Sequence, residues 1–199
     1  TTVLDSRNFG IHPGSHSTDV LVQRCTIRGS GSDGIWICWG VRRGRFLDNL
    51  IEGNGGLRFR SGICTGHKDS DVLIAGNTIR GNHKHGIAFR AETEANGAHR
   101  TVVRDNLIEN NGLRQEDRAA YRAQLPDGAS PSAGIAVGPI HRDLVIRGNT
   151  IRETRTGEEA LQSHAIVVAE GSSLAEQAGN AMSGHPAEAV VDHNLSPVR

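Results

Sequence analysis

The chain has 199 residues and carries 22 Lys and Arg against 22 Asp and Glu, so its formal net charge is zero. Neutrality excludes binding to nucleic acid or an anionic membrane through a general surface field, and any charged ligand must be held by a local patch. No run of about 18 apolar residues is present, so no segment is predicted to span a bilayer. Glycine, at 25 residues, is well above its usual share and aromatic residues make up only 4%, which predicts many tight turns and thin layers.

An internal repeat dominates the sequence. Five ten-residue segments superpose without gaps: VLVQRCTIRG (20–29), RFLDNLIEGN (45–54), VLIAGNTIRG (72–81), TVVRDNLIEN (101–110) and LVIRGNTIRE (144–153). Short runs led by Gly-Ile recur between them: GIHP (10–13), GIWI (34–37), GICT (62–65), GIAF (86–89) and GIAV (134–137). Apolar residues alternate with small or polar ones within each unit, which predicts three short strands per repeat of about two dozen residues.

Repeats of this size predict a solenoid. One unit cannot bury its inward face alone, so successive units must stack in parallel at about 4.8 Å, the spacing of neighbouring strands. The sequence therefore predicts an all-β parallel β-helix of about six to seven coils, forming a single domain over residues 1–199. Regular coils are expected at about 8–170, a helical insertion at 112–132, and a degenerate last coil and tail at 171–199. Because the first coil is open, we expect an additional N-terminal segment, domain or subunit to cover it, within a longer protein.

Asparagines recur at one turn of the repeat. Their side-chain amides can bond one another and the turn backbone, so the pattern predicts a hydrogen-bonded ladder along the stack. The five positions are Asn49, Asn77, Asn106, Asn149 and Asn180.

With these strands and turns, the chain resembles the right-handed parallel β-helix superfamily typified by pectate lyases, over nearly all of residues 8–185. The resemblance, together with the rule for parallel crossovers, implies a right-handed coil. Within that superfamily the chain is similar to uncharacterised bacterial β-helix repeat proteins, which implies a secreted or cell-envelope location. A fold of this kind hosts several reactions, so the reaction must be argued from the site.

Charged residues converge at one corner of the predicted coil, because GHKDSD (66–71) is followed one coil later by FRAETEANGAHR (89–100). We predict His67, Lys68 and Arg90 as catalytic residues. Removal of the C5 proton of a uronate needs a base, a cation near the carboxylate and an acid for the leaving oxygen. Lys68 and Arg90 are similar to the Lys and Arg of the alginate lyase and chondroitinase B group. This resemblance implies Lys68 as base and Arg90 as its partner. Reprotonation on the opposite face would instead give C5 epimerisation.

The same resemblance implies a calcium ion that neutralises the uronate carboxylate. The chain has no clear match to the Asn/Glu/Glu ligands of that group, and the candidate metal ligands are Asp69, Glu92 and Glu94. Without a metal, His67 or Arg100 would balance the carboxylate. An exposed indole can stack on a sugar ring, or it can be covered by the preceding coil. The candidate substrate-binding residues are Trp36, Trp39, Arg60, His99 and Arg100.

A second group of candidates stands directly before the Gly-Ile strands. Asp33 and His85 are similar to residues in the Asp-Gly-Ile and His-Gly-Ile strands of polygalacturonases. Hydrolysis needs two carboxyl groups, and Ser61 stands where that family has a paired aspartate, so inverting hydrolysis is not expected. His85 and His67 differ by six positions along the strand direction, about 20 Å, which predicts two separate sites. Of the two, the Lys68 corner is the predicted active site.

The sequence thus predicts a carbohydrate-active protein that acts on an acidic, uronate-containing polysaccharide by lyase or epimerase chemistry. The alternative is a non-catalytic carbohydrate-binding or structural spacer module of a secreted or surface protein, which the missing calcium ligands and open first coil favour. A homotrimer like those of tailspikes would need a long apolar outer face, for which candidates are scattered. Cys25, Cys38 and Cys64 have no metal-ligand spacing and are expected to be packing thiols.

Overall fold

The chain winds into a parallel β-helix in which each coil adds one short strand to each of three parallel sheets. The computed structural model describes residues 1–58, 60–90, 96–112 and 132–194. Seven strands in one sheet and six in each of the others confirm the predicted architecture of about six to seven coils within the described residues. A 3-10 turn spans Gly157–Glu159. The helix predicted within the insertion lies outside the described residues.

The strands are numbered in chain order. Sheet 1 contains β1 (Thr2–Leu4), β3 (Thr26–Arg28), β6 (Leu50–Glu52), β9 (Thr78–Arg80), β12 (Leu107–Glu109), β15 (Thr150–Arg152) and β18 (Ala181–Ser183). Sheet 2 contains β2 (Leu21–Gln23), β5 (Arg45–Leu47), β8 (Leu73–Ala75), β11 (Val102–Arg104), β14 (Leu144–Arg147) and β17 (Leu174–Ala178). Sheet 3 contains β4 (Ile35–Trp36), β7 (Ile63–Thr65), β10 (Ile87–Phe89), β13 (Ser132–Val137), β16 (Gln162–Val168) and β19 (Val190–Asp192).

The core consists of aliphatic side chains stacked in register. Because strand side chains alternate between the two faces of a sheet, the central residue of a sheet 1 strand points into the coil. The stacked residues of sheet 1 are Ile27, Ile51, Ile79, Ile108 and Ile151, all fully buried. Full burial of one such side chain contributes about 1.5–3 kcal/mol, so the repeat of isoleucine at this position stabilises the stack coil by coil.

The predicted asparagine ladder is confirmed. Each Nδ2 atom donates to the Oδ1 atom of the next asparagine at 2.9 Å, from Asn49 through to Asn180. A second ladder, which the sequence analysis missed, joins Asn54, Asn82, Asn111 and Gln162 at 2.9–3.0 Å. Its asparagines stand five residues after those of the first ladder, so the same periodicity contained the signal.

The outer face of sheet 1 carries charges of alternating sign. The residues in register are Arg28, Glu52, Arg80, Glu109 and Arg152. Arg80 Nε lies 2.8 Å from a Glu52 oxygen, and Arg152 Nε lies 2.7 Å from a Glu109 oxygen. Each arginine of this face is therefore paired with a carboxylate on a neighbouring strand.

Loss of one ladder amide should destabilise the fold. Asn106→Ala leaves the main-chain and side-chain N–H donors of Asn77 buried without their shared acceptor. We expect the free energy of unfolding to fall by about 2–4 kcal/mol. Chemical denaturation measures it, with Gln23→Ala as control, because Gln23 is an amide bonded to Asp48 at the surface. A loss in Asn106→Ala no larger than the control's would contradict a stabilising role for the ladder.

Candidate functional site

The outer face of sheet 3 carries a groove. Strand register places side chains of β4, β7, β10, β13 and β16 in one outward column. In chain order the column contains Trp36, Cys64, Ala88, Ala136 and Val167. Small side chains in the middle of the column leave space above the sheet, so the local sequence of these strands creates the depression.

Two adjoining pockets of about 450 and 340 Å³ make up this groove, which we call the sheet 3 groove. Asp33, Arg60, Cys64 and Arg90 line both pockets, so the two are continuous. The larger pocket extends along the later coils to His193, and the smaller one ends at Phe9 and Trp36 in the first coils.

Cationic side chains line the centre of the groove. They are Arg58, Arg60, Lys84 and Arg90. Within the described part of the chain, Arg58 and Arg60 form no ion pair, in contrast to the paired arginines of sheet 1. The carboxyl group of Asp33 is buried, its Oδ1 accepts the Ser61 N–H at 3.0 Å, and burial raises its pKa. The centre of the groove therefore favours an anionic ligand although the whole chain is neutral.

Lys84 and Arg58 line the groove and were missed by the sequence analysis. Lys84 is the one of the two with a chemical role to offer. It lies in the turn before β10, where burial lowers the pKa of its amine and the positive charge of Arg60 acts in the same direction. A lower pKa makes an amine more available as a base near neutral pH. The chain has only two lysines, Lys68 and Lys84. Composition alone made either of them a candidate base.

Arg90 extends from the end of β10 across the face of the groove. Its guanidinium carbon lies 5.5 Å from the ring centroid of Trp36, and its Nη1 lies 3.3 Å from His67 Nδ1. A guanidinium only donates hydrogen bonds, so Nδ1 accepts and the His67 proton is on Nε2. Burial and the charge of Arg90 lower the pKa of His67, and its ring stacks on Trp39 at 4.4 Å. The structure thus brings together His67 and Arg90, with a neutral imidazole holding the guanidinium.

Lys68 lies in an exposed turn with a left-handed φ of 67°, and its N–H donates to the Asn96 carbonyl. Among the described residues, it does not line either pocket of the groove. The nearby Arg90 side chain lines the groove and contacts His67. The role of Lys68 as the base stays a prediction.

Asp69 is fully buried under this turn. Its Oδ1 accepts the Val41 N–H at 2.9 Å, and its Oδ2 accepts from the Thr65 hydroxyl and the Gly66 N–H, both at 3.1 Å. Burial raises its pKa to about 6. These hydrogen bonds stabilise the turn that carries His67. The Asp69 carboxylate therefore has a structural role.

The other two candidate metal ligands, Glu92 and Glu94, lie outside the described residues. Within those residues, no group of three or more His, Cys, Asp or Glu side chains is arranged to hold a metal ion. The calcium site therefore stays a prediction.

Two of the candidate substrate-binding residues lie in the turn before sheet 2. Arg100 donates two hydrogen bonds to Asp71, at 2.7 and 2.9 Å, and His99 pairs through its backbone with Ser70 and Arg142. Neither Arg100 nor His99 is among the described residues that line the groove.

Arg60 and Trp36, in contrast, line the groove. Trp36 stacks with His12 at 4.9 Å and contacts Phe9, so part of the indole is covered by the preceding coil. Trp39 stands at the corner beside His67 with 44% of its surface exposed, which leaves it open to a ligand.

One residue of the first group of candidates, Arg90, shares the groove with Asp33 and His85 of the second group. Asp33 and His85 line it together with Arg90, because the long Arg90 side chain reaches back over the small Cys64. The spacing argument considered backbone positions and left out the length of an arginine. His85 itself is buried, its Nδ1 accepts the Ala133 N–H at 3.1 Å, and burial lowers its pKa to about 3.

Comparison with known proteins identifies the fold. Residues 1–194 match the family described as the right handed beta helix region. The chain is similar to the pectate lyase Pel9A (TM-score 0.62, 10% identity, 98% of this chain and 51% of that one). It is also similar to a double mutant of the periplasmic alginate epimerase AlgG (0.59, 13%, 96% and 44%). A third similar structure is the A-module of the mannuronan C-5 epimerase AlgE4 of Azotobacter vinelandii (0.57, 14%, 98% and 57%).

These likenesses concern the fold alone, because the identities are low and the chain spans about half the length of each of the three proteins. No curated protein matches the sequence. Within the described residues, no helix is long and apolar enough to cross a membrane.

The buried His85 should make stability depend on pH. Its pKa is about 3 in the folded chain and about 6.5 for an exposed histidine, so only the unfolded chain takes up this proton between those values. The free energy of unfolding should fall by roughly 3 kcal/mol from pH 7 to pH 4 through this group. Denaturation of His85→Asn, which keeps an acceptor for Ala133, should show a correspondingly smaller fall.

The control is His164→Asn, because His164 is partly exposed and stands in register with Ala133 one coil further along. This variant should keep the pH dependence of the unchanged protein. Equal slopes in all three proteins would contradict the buried, neutral state of His85.

Proposed function

We propose a function for the sheet 3 groove from the premise that the chain belongs to the right-handed β-helix family. The groove binds an acidic polysaccharide and removes the C5 proton of a uronate unit, by β-elimination or C5 epimerisation. One observation carries this proposal. Arg58 and Arg60 line the groove without an ion-pair partner among the described residues, whereas the sheet 1 arginines are paired with glutamates. Two arginines without such a partner in a concave surface are suited to the carboxylates of a uronate polymer.

The groove contains groups for each step of proton removal. Arg60 and Arg90 bind the uronate carboxylate and stabilise the charge that develops when C5 loses its proton. Lys84, whose pKa is lowered by burial, accepts that proton. In β-elimination the electron pair of the C5–H bond forms a C4–C5 double bond and the C4–O bond breaks. Asp33, whose pKa is raised by burial, donates a proton to the leaving oxygen. In epimerisation the C4–O bond stays intact and C5 is reprotonated on the opposite face.

The aromatic residues at the first-coil end support a sugar ligand. Trp36 lines the groove beside Arg90, and Trp39 is exposed at the corner beside His67. Sugar rings pack against indoles through their apolar faces. A polymer bound at the centre of the groove would extend along the column of small residues toward later coils.

The similar structures support the same class of ligand. They are named as a pectate lyase, an alginate epimerase and a mannuronan C-5 epimerase. One of them is named as periplasmic, and we propose a secreted or cell-envelope location for this chain. Calcium, if it takes part, would add to the positive charge near the uronate carboxylate.

The two lysines provide a matched test of the base. Lys84→Met should lower the rate of uronate turnover by about 10²–10⁴-fold, because the methionine keeps the side-chain length and removes the amine. Lys68→Met should leave the rate close to that of the unchanged protein. Ultraviolet absorbance detects unsaturated elimination products, and deuterium incorporation at C5 detects epimerisation. If Lys68→Met abolished turnover and Lys84→Met did not, the base would be Lys68 instead.

A separate test concerns binding. Arg60→Ala should weaken the binding of a uronate oligosaccharide by about 10- to 100-fold, because it removes a charge-assisted contact. Calorimetric titration measures this, and affinity should fall as salt is added. The control is Arg80→Ala, which removes a paired arginine on sheet 1. An equal effect of both variants would refute the groove as the binding site.

The same two experiments test the alternative function. Binding that depends on Arg60, with no elimination or exchange in any uronate polymer, would identify a non-catalytic carbohydrate-binding module. The absent cluster of metal-ligating side chains among the described residues is the observation that favours this alternative.

A further inference from the structure

We propose that His141 is a positioning residue that holds Arg90 over the sheet 3 groove. The inference rests on the proposed role of Arg90 in binding the carboxylate. His141 follows Arg90 by 51 residues in the sequence and lies in a turn. It is not among the described residues that line the groove.

The imidazole of His141 links two points of the chain through two hydrogen bonds, which we call the clasp. Its Nε2 lies 2.6 Å from the Arg90 carbonyl oxygen, and its Nδ1 lies 2.9 Å from the Ala98 nitrogen. The Ala98 N–H can only donate, so Nδ1 accepts and Nε2 donates its proton to the Arg90 carbonyl. One neutral ring therefore joins the two ends of the segment that begins directly after Arg90.

The ring is itself held in place. His141 is fully buried, and its backbone N–H donates to Ser172 Oγ at 2.8 Å. The Ser172 hydroxyl donates in turn to the Gly138 carbonyl at 2.6 Å, and the Phe89 ring lies 5.6 Å from the imidazole. Burial lowers the pKa of His141, which keeps the ring in its neutral form near pH 7. The clasp is thus a rigid element linked to the turns of later coils.

The anchor acts on the backbone from which the Arg90 side chain extends into the groove. The Arg90 guanidinium contacts His67 Nδ1 at 3.3 Å and the Trp36 ring at 5.5 Å. The strand β10 ends at Phe89. One residue further along, the Arg90 N–H donates to the Thr65 carbonyl at 2.9 Å, and the Arg90 carbonyl accepts the bond from His141. A shift of the Arg90 carbonyl would move the whole guanidinium away from the groove centre.

Two substitutions at the same position separate the two halves of the clasp. In His141→Asn the side-chain oxygen replaces Nδ1 and keeps the bond to Ala98, but no atom reaches the Arg90 carbonyl. In His141→Gln the amide nitrogen replaces Nε2 and keeps the bond to Arg90. We expect only His141→Asn to displace Arg90. If both variants displaced it equally, His141 would be a general structural residue and the proposal would be overturned.

The first readout needs no ligand. In a Trp39→Phe background Trp36 is the only tryptophan, and the Arg90 charge nearby attracts iodide. His141→Asn should lower the ratio of iodide to acrylamide quenching by about twofold, to the value of Arg90→Ala, and His141→Gln should not. An unchanged ratio in His141→Asn would overturn the proposal. This readout stands even if no uronate polymer binds, so failure of the proposed function is distinguishable from failure of the clasp.

The second readout is a double-mutant cycle on the binding of a uronate oligosaccharide. His141→Asn should weaken binding by about tenfold alone and in the Arg60→Ala background, with no further loss in the Arg90→Ala background. Equal losses in both backgrounds would show that His141 does not act through Arg90. The control His185→Asn changes another imidazole bonded to two partners, the carbonyls of Gln162 and Ile151, and should leave affinity unchanged.

Discussion

The stacking of identical positions from coil to coil is the constraint on which the rest of the molecule depends. Parallel pairing sets one coil above the next at the strand spacing, and two ladders of buried amides keep the turns in the same register. An amide is suited to this place because it donates to one coil while accepting from another, so each buried polar group finds a partner. The stack then brings residues two dozen positions apart into contact.

The same constraint explains how a chain of zero net charge contains a cationic groove. Register along sheet 1 pairs each arginine with a glutamate of the neighbouring coil, so the arginines of that face have carboxylate partners. On the outer face of sheet 3, the corresponding column contains small side chains, and arginines and a lysine enter the space from its margins. Their charges add, because the groove walls exclude part of the solvent that would otherwise screen them.

Neutral imidazoles are the supports of this cationic region. His67 accepts a hydrogen bond from the Arg90 guanidinium, and His141 donates one to the Arg90 carbonyl. A second cation beside Arg90 would repel it, so the lowered pKa values of both histidines suit their positions. Asp69 has a related task in the turn that carries His67, where its oxygens hold three N–H and O–H donors of the backbone and of Thr65.

The sequence by itself determined the architecture and the first asparagine ladder, because these depend on a periodicity that is visible in the letters. It also placed His67 and Arg90 in neighbouring coils. The tertiary structure alone decided that Lys84, rather than Lys68, lies in the groove with Arg90, and that Asp33 and Arg90 share it. The physical reason is that the repeat determines the backbone position of each residue, whereas the direction and length of its side chain determine the position of the charged group. An arginine can cross a small neighbour such as Cys64, and an alternating pattern of residues carries no record of that crossing.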